Sequence, residues 1–141
     1  GLYTRYLIPL MRLAEDFTAD CSDFSSTRSE FQAAMQDYTL LFRNFLANEI
    51  FSDLILPDDT LEDMLLHLEW IALEYTAIRQ SLYLHCSAEG ANHLSYETVR
   101  DYIVILSRMT GYEDADIREY LENSFASPIW DWGYFALVVG K

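Results

Sequence analysis

The sequence predicts an all-α fold: five or six helices packed around a long central helix at about 60–86. Apolar residues recur three and four positions apart over long segments, the spacing of one helix face. The five glycines and three prolines fall where such segments would start or stop. No segment alternates apolar and polar residues well enough to give a strand a partner. With 141 residues and no visible linker or repeat, the expectation is a single helical domain over 1–141.

The first helix is expected over about 9–20, reaching back towards Leu2, with Leu10, Leu13, Ala14 and Phe17 at helical spacing and Pro9 starting or kinking it. Residues 21–26 read as a loop. The second begins at Thr27, whose spacing to Glu30 is that of a capping box. Phe31, Ala34, Met35, Tyr38, Phe42, Phe45, Leu46 and Ile50 then trace one face, and the helix stops before Pro57.

The third is the central helix, capped by Asp59 with Glu62 or by Thr60 with Asp63, and ending before Gly90. On a wheel of about 100° per residue, Leu61, Met64, Leu65, Leu68, Ala72, Tyr75, Leu82 and Cys86 share one broad face. Leu66, Leu73 and Leu84 form a second strip. Glu62, Glu69, Thr76 and Gln80 make one narrow polar seam; Asp63, His67, Glu74, Ser81 and His85 make the other. Two apolar faces with thin wet seams describe a helix packed on two sides, with residues 71–82 among the most buried.

The fourth helix starts at Ser95, buries Tyr96, Val99, Ile103, Leu106 and Met109, and meets its C-cap at Gly111. The fifth runs over about 114–124, with Ile117, Tyr120 and Leu121 inward. The tail reads two ways: Ser127 and Pro128 suit a helix start, whereas Gly133 and the apolar run after it suit a strand. The helix is preferred, because a strand would have no neighbour.

Charge is the strongest global signal. Twenty-three acids face nine bases, a net −14, and the sole lysine is Lys141. Such a surface repels nucleic acid and anionic membrane and attracts basic proteins, although solubility alone also accounts for it. No apolar run approaches the length of a membrane span, and residues 1–14 lack the pattern of a secretory signal. Cys21 and Cys86, far apart and without a spacing motif, suggest a reducing, cytoplasmic compartment.

Chemistry-bearing motifs are sparse. Asp63 and His67 are one turn apart, but Glu74 lies too far along the axis to complete a metal site, so no metal is expected. His85 and Cys86 are adjacent and diverge on a helix, which suits a small buried thiol better than a nucleophile. No phosphate loop, CxxC, HExxH or GxSxG is present, and neither catalytic residues nor cofactors are expected. Arg79 stands out on the main apolar face. It is read as a buried ion-pair member or, alternatively, as the anchor of an anionic ligand in a sensor domain. Trp130, Asp131, Trp132 and Tyr134 are too dense for one helix to bury. With the acids Glu113, Asp114 and Asp116 they are the candidate partner-binding surface, or else a clamp on the core. The two tryptophans would also serve a homodimer seam.

In size, acidity and helicity the whole chain resembles the immunity proteins of bacterial contact-dependent growth inhibition and related toxin systems. That resemblance, carried by no motif, implies a non-enzymatic cytoplasmic inhibitor of a basic nuclease toxin.

Overall fold

The computed structural model describes residues 1, 3–9, 11–12, 25–54, 60–109 and 119. Every regular element among them is helical, as the periodicity requires. A π-helical segment at Tyr3–Leu7 comes first, followed by helices α1 (Ser25–Gln36), α2 (Thr39–Glu49), α3 (Leu61–Glu89) and α4 (Tyr96–Met109), with a π-helical segment at Ile50–Leu54 after α2 and a 3₁₀ turn at Ala91–His93 between α3 and α4. Two compact units are distinguished: Gly1–Phe45 with Ala77–Met109, and Leu46–Thr76 with Thr110–Lys141.

The second expected helix is in fact two. At Asp37 and Tyr38 the amides bond three residues back, to Ala34 and Met35 at 3.3 and 3.1 Å, which tightens the last turn of α1 into a turn. The Thr39 hydroxyl donates to the Gln36 carbonyl at 2.9 Å, offering the backbone an alternative to the helical ladder. The Tyr38 hydroxyl donates to the Leu94 carbonyl, fixing the turn against the segment before α4. The helix also starts at Ser25, two residues before the expected cap at Thr27.

α3 is the longest element, 29 residues or about 43 Å of helix. Its start is a reciprocal cap: the Asp63 amide donates to Thr60 Oγ1 at 3.2 Å, and the Thr60 amide and hydroxyl donate to Asp63 Oδ2 at 3.1 and 2.8 Å. It ends at Gly90, whose amide donates to the Cys86 carbonyl at 2.8 Å and whose φ of 89° is a conformation glycine adopts without penalty. The expected boundaries of this helix stand.

Its faces do not. His67, Glu74 and Ser81, placed by the wheel on a wet seam, are all buried, and they alternate with buried Ile71 and Ile78 at spacings of four and three. Glu69, from the other seam, is 1% exposed. Leu61 and Leu68, expected on the main apolar face, are 74% and 39% exposed. A helix with apolar residues all round has no strong preferred side, so the wheel could not say which polar strip the neighbours cover. Within residues 71–82, Ile71, Glu74, Ile78, Ser81 and Leu82 are nonetheless buried, while Ala77 and Gln80 face water.

In the first unit, the core takes Phe31 from α1, Ile78, Leu82 and Cys86 from α3, and Val99, Tyr102, Ile103 and Ile105 from α4. Phe31 meets Tyr83 edge-on with ring centroids 5.3 Å apart. Ser81, Ser87 and Ser107 hydroxyls donate to carbonyls four residues back, so helix-buried hydroxyls are not left unbonded. Ser95 caps α4 by accepting from the Thr98 amide at 3.2 Å. Val99 and Ile103 point inward as expected, whereas Tyr96 is 57% exposed; it occupies the first turn, ahead of the part that packs. The fifth helix and the tail lie outside the described residues, apart from Glu119, which is helical and exposed.

Candidate functional site

The densest polar arrangement is a clasp in the first unit, built from three distant parts of the chain. Tyr6, in the π-helical segment Tyr3–Leu7, donates its hydroxyl to Asp101 Oδ2 at 2.9 Å across 95 positions of sequence. Arg100 donates to the other carboxylate oxygen, from Nη2 at 2.8 Å and Nε at 3.2 Å. The next residue, Tyr102, meets the Tyr6 ring with centroids 5.1 Å apart. It also meets His85 of α3 edge-on at 5.6 Å, with its hydroxyl 3.4 Å from His85 Nδ1. The Arg5 guanidinium lies 5.2 Å from the Tyr6 ring centroid.

The electrostatics sort these groups into one charge and several neutral partners. Hydrogen bonds from Arg100 hold the Asp101 carboxyl below the usual carboxylate range; burial opposes this and the Tyr6 hydroxyl adds to it. Burial, then the bond to Asp101, raises the Tyr6 phenol. Burial pushes Tyr102 up to about 12 and the Cys86 thiol up to about 11. Burial also lowers the pKa of His85, and His85 Nε2 is sealed from solvent without a hydrogen bond. A protonated thiol and protonated phenols make a poor nucleophilic site. The arrangement is suited to clasping the N-terminal segment onto α4. Cys86 is a free thiol.

The sequence-derived candidates fare differently. Arg79 is half-buried on α3, and no carboxylate among the described residues pairs with it, so the expected buried pair is not found there. Asp63 caps α3, and among the described residues no group of three or more His, Cys, Asp or Glu side chains is placed to hold a metal ion. Trp130, Asp131, Trp132, Tyr134, Glu113, Asp114 and Asp116 lie outside the described residues. Tyr6, Asp101 and Tyr102 escaped sequence reading, because the bond that joins them is not local and neither tyrosine sits in a motif. Asp101 among the apolar residues of the inner face of α4, beside Arg100, was the only signal.

A helical chain with a buried polar clasp defines a class no finer than a helical domain, and the comparisons with known proteins supply the rest. The FliB lysine N-methylase C-terminal domain model matches residues 2–138. The chain belongs to that family. Neither curated proteins nor solved structures gave a match. The family match overturns the toxin-immunity reading, and it does not support the sensor-domain alternative. Small size, acidity and helicity are shared by many unrelated domains, and with no motif behind it that resemblance had nothing diagnostic to rest on. The family is part of an enzyme. Among the described residues no helix is long and apolar enough to cross a membrane.

Proposed function

We propose that this chain works within a protein lysine N-methylase, as the part that holds the lysine-bearing substrate, while the methyl transfer is carried out elsewhere in the enzyme. The observation that carries this reading is the family match over residues 2–138. Two features support the division of labour. Burial keeps the Tyr102 phenol and the Cys86 thiol protonated, and the net −14 draws a substrate segment whose lysines are still charged. In the reaction itself, the lysine ammonium gives up a proton, its nitrogen forms the new bond to the methyl carbon, and the donor keeps the electron pair of the bond that breaks. An acidic holding surface favours the charged amine on arrival, so deprotonation belongs to the reacting site. We place the activity in the cytoplasm, in keeping with the free, buried Cys86 thiol.

The test is methyl transfer in vitro. The complete gene product carrying this chain is incubated with an isotopically labelled methyl donor and a lysate of native cells that lack the gene, so that acceptor lysines are unmodified. Label should appear on lysines of a small number of proteins, and raising salt should suppress it. Absence of lysine labelling would overturn the reading.

A further inference from the structure

The start of α3 carries a surface that the clasp and the core leave unexplained. Leu61 is 74% exposed and Leu68 39%, with Met64 and Leu65 half-buried between them. At about 100° per residue these four positions share one face over two turns. Leucines in water on a helix that buries Glu69 and His67 invert what solubility alone would select. This stretch of sequence is acidic. Between Arg43 and Arg79 the chain carries eight acids, of which Glu69 and Glu74 are buried, and no lysine or arginine. Glu62 is exposed next to Leu61, and Asp63 follows it in the first turn.

We propose that this face of α3 docks an amphipathic, lysine-bearing segment of the substrate protein, with the leucines covering its apolar side and the acids facing its lysines. The identity of the occupant rests on the methylase reading above. Charge chooses among occupants. A second copy of this chain would bring another net −14 and the same acids to the interface, and nucleic acid or an anionic membrane would be repelled. A helix or extended segment with lysines flanking apolar residues complements both the leucines and the acids.

The experiment measures fluorescence anisotropy of a labelled synthetic peptide of leucine and lysine, patterned as an amphipathic helix, titrated with the intact protein in the absence of a methyl donor. Leu61→Asp combined with Leu68→Asp should weaken binding by about tenfold or more. Leu40→Asp, at a 67% exposed leucine of α2, should leave it unchanged. Glu62→Lys, which spares the leucines, should weaken it several-fold, and so should replacing the peptide lysines by glutamine. Circular dichroism of each variant checks that the helices persist; should the double variant unfold, Glu62→Lys and the glutamine peptide still decide. The proposal is overturned if the parent does not bind the peptide, or if Glu62→Lys and the double variant bind it as the parent does. It is also overturned if sedimentation shows a dimer that the double variant dissolves, which would give the face to a second copy. Because binding is read without transfer, intact binding alongside absent methylation would remove the methylase reading and leave the surface standing.

Discussion

Between residues 77 and 89 of α3, Ile78, Leu82 and Cys86 are buried while Gln80 and Glu89 face water; between residues 61 and 76, Leu61 and Leu68 face water while His67, Glu69 and Glu74 are buried. One helix thus follows ordinary hydrophobic sorting in its second half and departs from it in its first. The second half draws its stability from apolar burial, with Ser81 and Ser87 satisfied within the helix. The first half keeps a carboxylate oxygen of Glu69 buried without a hydrogen bond, an arrangement that costs free energy, and leaves apolar surface unused. Local departures from the rules that stabilise a fold concentrate where function imposes them, which is why the docking surface is sought at the start of α3 and not at its end.

The sharpest way to break this comparison is to truncate matched leucines. Leu82→Ala, at a fully buried position, should cost about 2–5 kcal/mol in chemical denaturation, whereas Leu68→Ala should stay within about 0.5 kcal/mol. Equal losses would show that the exposed face is packed after all. Next in size is the clasp. Asp101→Ala strands the Tyr6 hydroxyl in the core and should cost about 1–3 kcal/mol. Tyr6→Phe should cost less, and a double-mutant cycle should give a coupling above about 0.5 kcal/mol.

A smaller effect of opposite sign is expected at Glu69. Burial raises its pKa, so the folded state binds its proton more tightly than the unfolded chain. Its contribution is therefore favourable below the ordinary carboxylate range and is lost as pH rises through the folded value. Glu69→Gln should remove that loss, stabilising the protein by about 1 kcal/mol at neutral pH and by little in acid, as read from denaturation midpoints across pH. A variant less stable than the parent at neutral pH would mean that the carboxylate is paired in the native fold. The smallest effect belongs to the cap: Thr60→Ala should cost about 1 kcal/mol or less, because Thr60 is exposed and the loss is confined to the first turn.

Both ends of α3 and the start of α4 were legible because they are written in local chemistry: Thr60 with Asp63, Ser95 with Thr98, and Gly90 where a left-handed residue is needed; the C-cap expected at Gly111 lies outside the described residues. Helical class followed from spacing. The split at Asp37–Tyr38 was not legible, since an unbroken apolar stripe crosses it and the hydrogen bond from Tyr38 to Leu94 that accompanies it is long-range. The burial of His67, Glu69 and Glu74 was misread for a related reason: on a helix covered from several sides, composition does not say which strip faces a neighbour. Tyr6, Asp101 and Tyr102 meet only through tertiary folding. Charge pointed to a basic partner without identifying one, and the family match overturned the toxin-immunity reading built on it.

The central claim, that the chain serves lysine N-methylation, is tested most directly in native cells. The gene is removed and restored, and methylated lysines across the proteome are quantified by mass spectrometry. The account predicts that methyl-lysine disappears from one protein or a few, returns with the parent gene, and returns only partly with the Leu61→Asp, Leu68→Asp double variant. Methyl-lysine unchanged by removal of the gene would contradict it.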